Sequence, residues 1–188
     1  MKTLLTTSAL IVSMALSPAA YAHEEGKAPH KMMQSSPNAM KAPYDVQFLD
    51  TMAEHHREGI EMFKMGAEKA QSQELREKSQ KMIDAQEKEI PELKAMRNTI
   101  NADTPEAINR KLPGMMAMDM GKLESATGKD FDHHFIDMTI KHHQGALDMS
   151  RDALKHAKSQ DVKDHAQMII DMQTKEIAEM KQMLKMMK

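Results

Sequence analysis

Apolar side chains recur at three and four residues over two long stretches of the chain. Phe48, Met52, Ile60 and Phe63 mark the first, and Phe135, Met138, Leu147 and Met149 mark the second. This is the spacing of one helix face, not the alternation of a strand. Each stretch reads as helix, short turn, helix. The turns fall at 71–73 and 158–160, where Ser72 or Ser159 can cap the second helix and the acids that follow favour its dipole. Pro91 lies inside the first of these second helices and is expected to kink it, whereas the matching Ala178 is not.

The two stretches also resemble each other. Residues 44–96 align without gaps onto 131–183, pairing Asp45 with Asp132, Phe48 with Phe135, His55 with His142, His56 with His143 and Met62 with Met149. In the second helices Gln80, Ile83, Asp84, Gln86, Lys88, Glu89, Ile90 and Glu92 meet Gln167, Ile170, Asp171, Gln173, Lys175, Glu176, Ile177 and Glu179. The reading is an internal duplication. Between the copies, 97–130 carries Pro105, Pro113, Gly114, Gly121 and Gly128 and is expected to be a Met-rich crossover with short helical pieces at 105–111 and 119–126. Two helical hairpins joined in this way predict an all-α four-helix bundle over 44–188.

Ahead of it, 23–43 is rich in Pro, Ser, Lys, His and Met without periodicity and reads as a mobile arm. Residues 1–22 have the form of an export signal: Lys2, an apolar run too short to span a bilayer, and Ala20-Tyr21-Ala22. The expectation is a periplasmic protein, cleaved after Ala22 and not held in the membrane afterwards.

Composition sharpens the chemistry. There is no cysteine, so disulfides, thiolate metal sites and thiol nucleophiles are excluded. A formal charge of −2 with interleaved signs leaves no footprint for nucleic acid. The outlying features are 22 Met and 10 His with no Trp.

On a helix, Met52, His55 and Met62 share one stripe, as do Met138, His142 and Met149. Neighbouring residues are about 100° apart, so His56 and His143 must point elsewhere, to helix interfaces or a second pocket. Imidazole ligates copper and thioether is a soft ligand that favours Cu(I), so these eight residues form the candidate metal set. Zinc suits the histidines but gives no reason for the methionines. Met82, Met96, Met168 and Met172 are read as packing, since Met readily fills core gaps.

Met115, Met116, Met118 and Met120 in the crossover are secondary candidates for a Cu(I) relay, against a loop that simply folds onto the bundle. The same holds for Met180, Met183, Met186 and Met187 near the C-terminus and for Met32, Met33 and Met40 in the arm. A chain cleaved after Ala22 would begin at His23, whose α-amine and ring can chelate Cu(II). His133 and His134 lack counterparts in the first copy and either widen one site or are merely solvated.

The pattern Asp-x-x-Phe-[Leu/Ile]-Asp-x-x-x-x-His-His-x-x-[Gly/Ala] occurs at 45–60 and again at 132–146, with Pro-Gly-Met-Met at 113–116. In these motifs the chain resembles the family known as domain of unknown function 305. The resemblance implies a small exported bacterial protein with a ferritin-like bundle, some members being implicated in periplasmic copper binding and resistance. It carries over His55, His56, Met62, His142, His143, Met149, Met115 and Met116. The Trp that the family often has near the end of each second helix is absent, and Met96 and Met183 stand in that neighbourhood.

The leading expectation is therefore a copper-binding protein, chiefly for Cu(I) and secondarily Cu(II), that buffers the ion or passes it to another periplasmic copper-handling protein. It is not expected to be an enzyme. Two alternatives stand beside it. A ferritin-like di-metal oxidase needs inward Glu and a Glu-x-x-His motif, which the chain lacks, and the acids nearest the His pairs in sequence are Glu54, Glu58 and Asp148. An interaction module would use the histidines as a core polar network.

Overall fold

The computed structural model describes residues 34–187. Five helices follow a single 3₁₀ turn at Ala39–Lys41: α1 Tyr44–Lys69, α2 Gln73–Asn101, α3 Met120–Ser125, α4 Gly128–His156 and α5 Gln160–Met186. Among the described residues there is no strand. α1 packs on α2 and α4 on α5 as two hairpins, and α1 packs on α4 to join them into a four-helix bundle.

The helix ends show how the hairpins lock together. Ser72 accepts a bond from the Leu75 amide at 3.3 Å, as its capping position requires. Ser159 makes no such bond. There the amides of Lys158 and Ser159 donate instead to Asp45, at 3.0 and 2.9 Å, from the first turn of α1. Asp132, in the second turn of α4, accepts from the amides of Gln71 and Ser72 at 2.7 and 2.9 Å. Each hairpin thus satisfies the helix-start amides of the other.

α2 runs unbroken through Pro91. Pro91 and Glu87, whose carbonyl the proline leaves without a donor, both sit on the exposed face, so the freed group is not sealed inside the bundle.

The apolar core has two large parts, beside a small cluster of Ala39, Val46 and Ala107. One gathers Phe48, Leu49, Met52, Leu93, Met149, Val162 and Ile169. The other gathers Ile60, Met62, Phe63, Leu75, Phe131, Phe135 and Ile136. Phe48, Phe63, Phe131 and Phe135 are wholly buried, each stabilising the fold by roughly 1.5–3 kcal/mol. Along each long helix, buried polar residues separate the two parts.

The crossover lies along α1. Asp50 and Thr51 accept from the amides of Ala107 and Asn109, both at 2.8 Å, and Asn109 donates to Gln47 at 2.7 Å. Arg110 pairs with Glu58 at 2.6 Å and Glu54 at 3.2 Å. Residues 105–109 so tethered carry no regular secondary structure and 110–111 form a turn, so the helical piece expected there does not form, whereas the one at 119–126 does, as α3. The fold also begins ahead of Tyr44. Ser36 donates its amide to the Ile108 carbonyl at 2.8 Å and Ser35 accepts from the Arg110 amide at 2.9 Å, so the end of the expected mobile arm is pinned to the crossover.

Gly114, at φ 85°, brings the crossover backbone against Gly145 of α4, where a Cβ on either residue would strike the other's carbonyl. Among the described residues no helix is long and apolar enough to cross a membrane.

Candidate metal centre

The four paired histidines meet at the level where the core divides. His55 and His142 are 3% exposed, and His56 and His143 wholly buried. His55 of α1 and His142 of α4 stack face to face, with ring centroids 3.8 Å apart and planes 14° from parallel. Their neighbours turn away, as adjacent helical positions must. His56 points to α2, with Nε2 2.9 Å from Oε2 of Glu89, and His143 points to α5, with Nε2 3.2 Å from Oε2 of Glu176.

The second helices contribute more than those carboxylates. Gln86 and Gln173, aligned with each other, are also buried in the layer, and a Cβ on Gly59 would meet the Gln86 amide oxygen and His142 Nε2. His165 of α5 places Nε2 3.0 Å from Oε1 of Glu89. Burial alone would raise the Glu89 carboxyl, but His165 and His56 outweigh it and hold the group at about 2. Glu176 has no second imidazole. Burial, aided by Glu179 and Glu89, pushes it up to about 7.

Burial, reinforced by neighbouring imidazoles, lowers His55 and His143 to about 3 and His142 well below its usual range. These rings are neutral at pH 7 and offer lone pairs, as metal ligands must. Nδ1 of His55, His56 and His143 and Nε2 of His142 have no hydrogen-bond partner. The carboxylate contacts of His56 and His143 are also too poorly aligned to count as hydrogen bonds. Orphaned buried polar atoms cost about 1–3 kcal/mol each. That cost is hard to reconcile with a purely structural role. Among the described residues no three His, Asp or Glu side chains converge on one point able to hold an ion. The layer is thus a set of poised imidazoles with carboxylates behind two of them.

The thioethers flank the layer. Met52 and Met149 are buried in one core part and Met62 in the other, where Met138 is partly buried. The exact alignment partner of Met52 is Thr139, one position on from Met138, which explains the shallower placement of Met138. Met115 packs on the first core part and Met118 and Met120 on the second, so the crossover folds down over the bundle, with Met116 left 48% exposed.

Met82 and Met96 pack as expected, but Met168 is 44% exposed and fills no core gap. His133 is exposed and lies 3.4 Å from Asp137, and His134 beside it is half-buried, both well before the histidine layer on α4. Met40 is exposed. His23, Met32, Met33 and the expected signal at 1–22 lie outside the described residues.

Glu89, Glu176 and His165 also face the layer, although no motif in the sequence marks them. The acids that face the histidines come from the second helices, not from Glu54, Glu58 and Asp148 nearby in sequence. Glu89 and Glu176 pair in the alignment and lie three residues beyond Gln86 and Gln173 on the inward stripe, Glu89 buried and Glu176 half-buried. His165 sits between buried Val162 and Ile169, a spacing that places it inward.

The chain shows clear likeness to known proteins. CopM in its Cu(I)-bound form is 30% identical, covering 75% of this chain and 95% of that one with a TM-score of 0.64. CopM in its Cu(II)-bound form is 31% identical, covering 77% and 98% with a TM-score of 0.65. CopM has also been solved with silver. A protein from Streptomyces coelicolor, 21% identical over 77% of this chain and 94% of its own, shares the fold with a TM-score of 0.69. No curated protein matches. The family model described as domain of unknown function (DUF305) matches twice, over residues 1–97 and 98–184, and the chain belongs to that family.

Proposed function

We propose that this protein binds copper, foremost as Cu(I), and holds or passes on the ion in the periplasm. The observation that carries the reading is the meeting of four buried imidazoles from two hairpins, each with an unpartnered ring nitrogen. CopM, of similar sequence and fold, binds Cu(I), Cu(II) and silver. Copper here is cargo. His55, His56, His142 and His143 supply nitrogen donors, and Met52, Met62, Met138 and Met149 supply soft sulfur on either side of the layer. Glu89 and Glu176 stand 2.9 and 3.2 Å behind His56 and His143, close enough that a small ring rotation on metal binding would make the hydrogen bonds by which carboxylates orient metal-bound imidazoles. Zinc would leave the thioethers idle.

The test is a Cu(I) competition against a chromophoric chelator. The wild type should withdraw Cu(I), and replacing His55, His56, His142 and His143 together should abolish that withdrawal. A quadruple variant that competes as well as the wild type sinks the reading.

A carboxylate-bridged di-metal oxidase gains from the inward placement of Glu89 and Glu176, but the Glu-x-x-His motif that such sites require is absent from the sequence. Oxygen consumption with ferrous iron would favour it.

A further inference from the structure

A second cluster of soft donors lies away from the histidine layer, where the end of α5 meets the start of α2. Met183, Met186 and Met187 line one surface cavity of about 150 Å³. Met186 and Met187 follow Met183 by three and four residues, so all three occupy one face of the last helical turn. The inner wall is closed by Leu75 and Ile136, both wholly buried, and Met183 is only 6% exposed. At the rim stands Glu74, an exposed carboxylate in the first turn of α2.

Met commonly fills gaps in a core, and Met183 does so. Met186 does not: it is 64% exposed, beside a cavity it leaves unfilled. An aliphatic residue would bury no less apolar surface there, so packing gives no reason for thioether at this position.

The geometry points to a peripheral site for a soft monovalent ion, Cu(I) or Ag(I), held by the thioethers of Met183, Met186 and Met187. Thioether is neutral and polarizable, so it ligates soft cations and has little affinity for hard ones. The apolar wall keeps water from one side, and the Glu74 carboxylate balances the charge of the ion. The site shares with the preceding proposal only the class of ion and draws on none of its residues. Its position at the surface makes it an entry or exit point for an ion, where the histidine layer is enclosed.

The experiment uses the full chain, labelled with ¹³C at the methionine ε-methyls and titrated with silver nitrate, silver being a diamagnetic stand-in for Cu(I). The ε-methyl signals of Met183, Met186 and Met187 should shift together. The double variant M186L/M187L, altered only at the open side of the cavity, should bind one silver ion fewer by native mass spectrometry. The quadruple histidine variant should keep that ion. If the three signals stay still while others move, or if M186L/M187L binds as many ions as the wild type, the peripheral site is overturned and the histidine reading is untouched. If the quadruple variant binds as much silver as the wild type while M186L/M187L loses an ion, the reverse holds.

Discussion

Glu89 holds Oε1 3.0 Å from Nε2 of His165, a link that the second hairpin lacks. The position aligned with His165 is Lys78, which reaches away from the layer to Glu179 at 2.7 Å. Glu89 therefore stands between two imidazoles and Glu176 beside one. The two halves of the layer share a backbone plan but differ in charge, with Glu89 held at about 2 and Glu176 raised to about 7.

Removing the Glu89 charge should loosen both of its imidazoles. Glu89→Gln is expected to weaken Cu(I) binding by about 10–100-fold, the range for a residue that orients a metal-bound histidine. Glu176→Gln should cost less. Chelator competition measures both, and equal affinities for wild type and Glu89→Gln would remove Glu89 from the site.

The metal-free protein should lose stability as pH falls. His55 and His143 titrate near 3 in the folded chain and His142 well below 6.5. Between pH 6.5 and 3 the unfolded chain thus takes up more protons. Each excess proton lowers stability by about 1.4 kcal/mol per pH unit. Glu89, held at about 2 against 4.5, acts in the same direction below pH 4.5. Glu176, raised to about 7, acts oppositely between 4.5 and 7, and Glu58, raised by burial, acts oppositely above 4.5, but these are two carboxyls against three imidazoles. Urea melts at pH 7, 6, 5 and 4 should show a steady decline, and a flat profile to pH 4 would mean that the imidazoles are not held neutral.

Asp45→Ala and Asp132→Ala should each destabilise the bundle by about 1–3 kcal/mol, because each strands two amides at a helix start. Denaturant midpoints report the change. A loss below about 0.5 kcal/mol would place water, not the carboxylate, as the partner of those amides.

Gly145→Ala should lower the melting temperature and free the crossover, since the new methyl would meet the Gly114 carbonyl, which is backbone and cannot swing aside. Amide exchange around Gly114 should quicken. Unchanged exchange would mean that the close approach does not hold the crossover down.

Much of the fold was legible because the signal was periodic and doubled. The spacing of Phe48, Ile60 and Phe63, and of Phe135 and Leu147, marks a buried helical stripe, and the alignment of His55-His56 with His142-His143 pointed to equivalent places in two hairpins. Glu89, Glu176 and His165 were harder to see. They approach the histidines across a helix interface, and proximity in space leaves no trace in proximity along the chain. Asp45 and Asp132 were visible as a matched pair, but the amides they satisfy lie far off in sequence. The absence of a helix over 105–111 has the same origin: the amides of Ala107, Ile108, Asn109 and Arg110 go to side chains of α1, Ser36 and Ser35 rather than to carbonyls one helical turn back.

The reciprocal carboxylates at the helix starts mean that neither half of this chain is self-sufficient. Cut within the crossover, each fragment would keep a turn whose amides look for an acid it does not own, and the two fragments should reassociate to supply it.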